Sequence, residues 1–395
     1  MKFGRNGWLR VGLTIATLLG IYCFWAYTGR AREKEYGWKE APQPKFRIET
    51  IQLGTLAGQG NVIALQPYMS TYSYATRFNF ETTLRLYFNQ MRDEGLLDST
   101  TVVVLPEYIG TWLVVTGEKE AIYAAPTLKD AMRTMRNSNI FSFGWHYLQA
   151  GSSDKTAEAL FGMKAANMAQ LYQEVFTALA KEYQCTLVAG SILLPDAYVN
   201  AAGAICIRKG APLYNTAAVF YANGKVNSLL IKKQFLSTDE QGFTAAAKTA
   251  AAPLFRTPAG NMAVLIGADS WHPAAYAALQ HRADYLVVPS LAGTDSLWQA
   301  PWKGYNGAQA PTDVDTGFYG RISEGEAWQR LSMGTRAPQV GIKQGINAFF
   351  TGDLWELHPQ GRVLVLQNDS VQVLPAAKGK GRIVNVWLQP KAANL

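Results

Sequence analysis

Cysteine and charge are the two things this sequence is short of. Its 395 residues include only three cysteines, Cys23, Cys185 and Cys206. Three cannot build a disulfide scaffold, and no CxxC pair or Cys/His spacing suggests zinc. Charged residues make up 17% of the chain, against roughly 25% in an ordinary soluble domain, while hydrophobic residues reach 48%. That mixture excludes a disordered tail or a charge-rich coiled coil, and it can bury a large core. Internal repeats and low-complexity tracts are also missing. The length allows one large domain of about 300 residues or two ordinary ones. Lys and Arg outnumber Asp and Glu, 37 to 29 for a net charge of +8, yet they form no stripe interleaved with aromatics. Nucleic acid is therefore not an expected partner, whereas an anionic lipid surface fits the sign of the charge. Nothing implies a metal or cofactor.

What is present at the N-terminus is an uncharged run from Val11 to Tyr27, preceded by Lys2, Arg5 and Arg10. It lies at the short limit for a helix crossing about 30 Å of hydrocarbon. A cleaved signal peptide is the rival reading. Such peptides end in small residues, whereas this run ends in Phe24, Trp25 and Tyr27, rings that suit a membrane–water interface. Bulky Ile21 and Tyr22 ahead of Cys23 argue against lipid attachment there. Residues 1–29 are accordingly read as an uncleaved single-pass anchor and 30–48 as a linker. Basic residues flank the run on both sides, so the positive-inside rule says little. An N-terminal anchor usually acts as the export signal, which places the domain on the extracytoplasmic (periplasmic) side.

Beyond the linker, short apolar runs alternate with turn signals. NVIALQ (61–66), TVVVLP (101–106), TLVAGS (186–191), AICI (204–207), MAVLIG (262–267), DYLVVP (284–289) and RVLVLQ (362–367) read as strands. AAVFY and VNSLLI flank Asn223-Gly224, a strong hairpin signal. Helical spacing predicts helices near 79–93, 155–183, 273–281 and 322–333, with a polar, irregular stretch before Ser153. Strands alternating with helices, plus hairpins, predict a layered α/β protein with a mixed sheet in one domain, 49–390. Strand ends at LPE, IKK and IGAD fall at one rim, where such proteins usually keep their chemistry.

Singly these ends are weak signals. Glu107 reads as a carboxylate leaving a strand, and Lys232 and Lys233 as a solvated edge. Ser270 and His272, two residues apart on a turn, rarely point at each other. Their order is more specific. VVVLPE, AGS, YNTAAVFYANGKV, IKKQFL and VLIGADSWHP, followed by INAFFTG and LHPQGRVLV, resemble the nitrilase (carbon–nitrogen hydrolase) superfamily over about residues 48–370. The resemblance implies an αββα four-layer sandwich acting at C–N bonds through a Glu-Lys-Cys triad and an acyl-enzyme thioester. The membrane anchor brings to mind its apolipoprotein N-acyltransferase branch, which has several spans where this chain has one.

Carried over residue by residue, the general-base glutamate falls on Glu107 and the lysine on Lys233. A carboxylate there can take a proton and a fixed ammonium can stabilise a developing oxyanion. The nucleophile's pattern, with Asp269 and Pro273 matching, falls on Gly267, which has no side chain. An accessory glutamate falls on Gln241, with Glu240 one residue short. Cys185 and Cys206 read as structural thiols, Asp269 as a structural carboxylate, and Ser270 as a displaced candidate nucleophile.

The excess length between Glu107 and the long helix, about 112–155, is either a packed surface insertion or a lid or membrane-facing loop, given its Trp and Tyr content. The expectation is a membrane-anchored domain of this family that is degenerate at Gly267, a pseudoenzyme that binds an amide or acyl ligand or a protein partner. The alternative is an active amide hydrolase or N-acyltransferase using Glu107 and Lys233 with Ser270 or an activated water. A homodimer is a further expectation.

Overall fold

The computed structural model describes residues 5–32, 48–248, 252–377 and 381–390, with side chains from residue 8. Most of the segment read as a linker, 33–47, lies outside the described residues.

The apolar runs assemble into two large sheets, apart from AICI, whose Ile205–Cys206 pairs separately with Tyr198–Val199. The first has seven strands in the spatial order Glu49–Leu53, Arg382–Trp387, Asn61–Gln66, Val102–Val104, Thr186–Pro195, Leu213–Phe220 and Ile231–Lys232. The second has six: Leu254–Thr257, Gly260–Val264, Tyr285–Ser290, Gln344–Phe349, Leu364–Gln367 and Ser370–Val373. Both mix parallel and antiparallel pairs.

Alternate residues of a strand point to opposite faces. Val62, Ala64, Val102 and Val104 of the first sheet meet Val264, Val287 and Ile346 of the second in the central layer. Ile63, Leu65, Val103 and Leu187 turn the other way, onto the Arg77–Asp93 and Lys155–Tyr183 helices through Phe80, Leu84, Met168 and Val175. Across the second sheet, Leu286 and Val288 meet Trp271, Trp298 and Trp328 of the other outer layer. Burying each such side chain stabilises by about 1.5–3 kcal/mol. The chain is an αββα four-layer sandwich. Its strand runs are continuously apolar because they are covered on both faces, and that accounts for the low charge content.

Helix starts follow local chemistry. Thr76 accepts the Asn79 N–H and Asp154 the Ala157 N–H, capping the two long helices, each cap worth about 1 kcal/mol. Three predicted features differ. The stretch before Ser153 is not irregular: it contains helices Leu128–Ser138 and Ile140–Gln149. Of VNSLLI, Val226 closes the Asn223-Gly224 turn through an isolated antiparallel bridge to Phe220, and named strand resumes only at Ile231, continuing to Lys232. The predicted 273–281 helix is one turn, Pro273–Tyr276, followed by a 3-10 turn. At the N-terminus, Arg5–Tyr27 is helical. Its 20-residue part Trp8–Tyr27, mean hydropathy 1.6, is long and apolar enough to cross a membrane.

Candidate functional site

Three chain segments deliver the candidate side chains to one rim. Pro106 ends the Val102–Val104 strand, and the turn after it is shaped by Gly190 on the neighbouring strand. Gly190 has φ +64, and a Cβ there would lie 2.1 Å from the Pro106 carbonyl oxygen. Only glycine lets the two backbones approach this closely. Ser191 Oγ then accepts the Tyr108 N–H at 2.8 Å, fixing the turn that aims Glu107 inward. Lys233 follows the short Ile231–Lys232 strand and donates its N–H to the Asn215 carbonyl at 2.9 Å. Side-chain alternation sends Lys232 to the other face, over the Tyr214 ring. The third segment is the 3-10 turn Gly267–Trp271. Asp269 ties it to the lysine loop by accepting the Gln234 and Phe235 N–H groups at 2.9 and 2.8 Å.

These turns bring Glu107 and Lys233 into direct contact. Lys233 Nζ donates to Glu107 Oε1 at 2.8 Å and to Glu240 Oε2 at 2.7 Å. All three side chains are buried. Glu240 is therefore a second carboxylate on Lys233. Gln241, the position the spacing selected, turns away and donates to the Gly307 carbonyl at 2.7 Å. Ser237 and Glu240 form a capping box for the Thr238–Gln241 turn, which folds the Glu240 carboxylate back toward Lys233. The S-x-x-E spacing that signals such a box was present in the sequence.

Three further participants were not singled out in the sequence. Asn215 Nδ2 donates to Glu107 at 2.8 Å and to Glu240 at 3.1 Å. The Leu291 N–H donates to Glu107 Oε2 at 3.0 Å. The Tyr108 hydroxyl donates to Glu240, and Tyr108 has φ +65, uncommon for a bulky residue. An asparagine amid the apolar YNTAAVF run was the available signal for the first. A backbone donor leaves no mark in a sequence.

Burial pushes the Glu107 carboxyl above its ordinary range, an effect the Lys233 ammonium offsets only in part and Glu240 reinforces. Burial would lower the Lys233 ammonium, but the two carboxylates outweigh it and hold it protonated. For Glu240, burial is outweighed by Lys233 and by hydrogen bonds, and its carboxyl lies below the usual range. Asp269 is pushed up to about 7 by burial. The arrangement sets a buried carboxyl of raised proton affinity beside a fixed cation.

Gly267 completes the geometry. Its φ is +47, in the left-handed region, and a Cβ there would lie 2.4 Å from Glu107 Oε2. The glutamate carboxylate thus fills the space a side chain at 267 would need. Ser270 is buried and donates its hydroxyl to the Gly267 carbonyl oxygen at 2.8 Å. His272 stacks on Phe235, ring centroids 3.6 Å apart, and burial together with nearby Arg336 lowers its imidazole to about 4. Cys185 is buried, its thiol pushed up to about 12 by desolvation, and Cys206 lies on the Ile205–Cys206 strand, accepting from Asn200. A cavity of about 320 Å³ lies between the Ile140–Gln149 and Lys155–Tyr183 helices, lined by Trp145, His146 and Met163, and includes none of the Glu107 cluster. Among the described residues no group of His, Cys, Asp or Glu is arranged to hold a metal ion.

No protein-family model and no curated protein sequence matches the chain. Solved structures do. A cysteine-to-serine variant of the Nesterenkonia AN1 amidase from the nitrilase superfamily aligns at 13% identity and TM-score 0.51, covering 85% of this chain and 93% of that one. A double variant of the same amidase in complex with acrylamide aligns at 12% identity and TM-score 0.52, covering 86% and 95%. Saccharomyces cerevisiae Nit3, a member of branch 10 of that superfamily, aligns at 15% identity and TM-score 0.50, covering 86% and 93%. At these identities the likeness concerns backbone architecture, and it spans nearly the whole of each solved chain. The chain has the fold of the nitrilase, or carbon–nitrogen hydrolase, superfamily.

Proposed function

We propose that this is a membrane-anchored pseudoenzyme, a carbon–nitrogen hydrolase-type domain that binds a ligand or protein partner without forming a thioester. One observation carries the reading: position 267 offers no nucleophile, and the Glu107 carboxylate occupies the room its Cβ would take. The direct Glu107–Lys233 contact at 2.8 Å also leaves no gap for a water between those two groups. The Ser270 hydroxyl is directed to its own turn rather than to Glu107.

Retention of the anchor is supported by contacts beyond its apolar run. Lys119 Nζ donates to the carbonyls of Trp25 and Thr28, and Arg30 donates to Glu118, Ser138 and Asn139. Cleavage near the end of the run would discard bonds the domain is built to make. Export of the domain to the extracytoplasmic side belongs to the same proposal.

A second reading is favoured by the intact Lys233 contacts with Glu107 and Glu240. It is an active amide hydrolase or N-acyltransferase with a displaced nucleophile. The two are separated by assaying the full chain in detergent against a panel of amides and acyl donors, beside Glu107→Gln, Ser270→Ala and Gly267→Cys forms. The pseudoenzyme reading expects no turnover in the natural chain. Turnover lost in Glu107→Gln would sink it, and loss in Ser270→Ala would identify the displaced nucleophile.

A further inference from the structure

The Ile140–Gln149 helix, IFSFGWHYLQ, carries no Asp, Glu, Lys or Arg, and none of its residues is fully buried. Phe143 and His146 turn toward the long Lys155–Tyr183 helix, His146 against Gly162. The opposite face presents Phe141 and Leu148, 65% and 82% exposed, flanked by Ile140 and by Trp145, which also borders the cavity. An apolar face of that kind on a water-facing helix needs a cover.

The anchor indicates what the cover is. The Tyr22 hydroxyl donates to the Asn137 carbonyl and accepts the Ile140 N–H, both at 3.1 Å, and Phe141 packs edge-on against the Tyr22 ring. Tyr22 lies five residues before the helix end at Tyr27, which at 1.5 Å per residue is about 7–8 Å inside that end. An interfacial amphipathic helix sits about 5–10 Å into the headgroup–acyl boundary. The beginning of the Ile140–Gln149 helix is therefore at interfacial depth when the anchor spans the bilayer. The angle between them is fixed by the Lys119 and Arg30 bonds and by Glu118, which also takes Asn139 and pairs with Lys164 of the long helix. The adjoining helix Leu128–Ser138 carries Lys129, Arg133 and Arg136 against one Asp130, a balance that suits anionic headgroups.

We propose that the Ile140–Gln149 helix lies in the interface of the bilayer that the anchor spans, so that the domain grips the membrane at two points. The proposal rests on the anchoring reading given above, and its test separates the two. In a full-length Cys23→Ala, Cys206→Ser background, an environment-sensitive fluorophore is attached through Leu18→Cys, Leu148→Cys or Arg330→Cys. Arg330 is on the Glu324–Leu331 helix in the other outer layer. Each protein is reconstituted into phosphatidylcholine–phosphatidylglycerol vesicles and exposed to lipid-borne nitroxide and to aqueous iodide.

The expected result is nitroxide quenching at 18 and 148 but not at 330, with iodide quenching at 148 at least about threefold weaker than at 330. If 18 is quenched by lipid while 148 responds to iodide as strongly as 330, the interfacial helix is refuted and the anchor stands. Should 148 be shielded from both quenchers, protein covers it and the lipid proposal fails; a doubled particle mass by light scattering would identify a second copy as the cover. Failure of lipid quenching at 18 overturns the anchor and this inference together.

Discussion

Adding one carbon at position 267 should unsettle the whole buried cluster. An alanine Cβ would stand 2.4 Å from Glu107 Oε2 and 3.1 Å from its Cδ. Ordinary contact needs about 3.5 Å, so the carboxylate must retreat by about 1 Å. Retreat breaks or bends its bond to the Leu291 N–H, now 3.0 Å, while Oε1 is held by Lys233 and Asn215. Losing a hydrogen bond to a charged group costs about 1.5–3 kcal/mol. Forcing a non-glycine residue into the left-handed region adds about 1–2 kcal/mol. Gly267→Ala should therefore destabilise the domain by about 2.5–5 kcal/mol, a large part of a typical 5–15 kcal/mol stability. The assay is urea unfolding of the full chain in detergent micelles, followed by tryptophan fluorescence. A cycle with Glu107→Ala isolates the collision, because without the carboxylate only the backbone strain of about 1–2 kcal/mol should remain. Gly267→Ala costing less than about 1 kcal/mol, or costing the same in both backgrounds, would refute the steric reasoning.

Other perturbations have equally definite outcomes. Glu240→Ala should cost about 3–5 kcal/mol by stripping a buried ammonium of one partner, whereas Gln241→Ala should cost about 1 kcal/mol or less; similar losses in parallel urea titrations would contradict the placement of Glu240. Gly190→Ala should exceed about 3 kcal/mol, since its Cβ meets the Pro106 carbonyl at 2.1 Å and its φ is positive; normal stability would show that the turn at Glu107 does not need the close approach. His272 has a folded imidazole near 4 against an ordinary 6.5. Its contribution is thus full above about pH 6.5 and lost as pH falls through about 4, because the unfolded chain binds the proton more readily. His272→Phe, which keeps a ring on Phe235, should flatten the stability–pH curve over that window; an unchanged slope would mean that another group causes the acid loss.

The sandwich was legible because its strands are covered on both faces, which writes unbroken runs such as VVVLP and YLVVP into the sequence. Glu107 and Gly267 were legible for a related reason, since each directly follows such a run, whereas Lys233 follows Lys232 after a stretch that is strand only at Ile231 and Lys232. The motif spacing selects Gln241, with Glu240 one residue short, and it is Glu240 that contacts Lys233, because the Ser237 cap decides which way a one-turn helix faces. Asn215, Tyr108 and the Leu291 N–H come from partners distant in sequence, so only the folded chain unites them. The helices at 128–149 were hidden for another reason. The first, LKDAMRTMRNS, is largely polar, and the second is apolar nearly all round with a glycine inside, so neither gives a clean helical stripe.

The seating of the Glu107 carboxylate against Gly267 bears on how readily a side chain could be placed at this position. A cysteine introduced there would meet a glutamate already settled in the space its side chain needs. Such a substitution would lower stability unless Glu107 or the loop supplying the Leu291 N–H shifted too. Position 267 is therefore coupled to position 107: any side chain placed there needs coordinated changes at residues 160 positions apart in the chain.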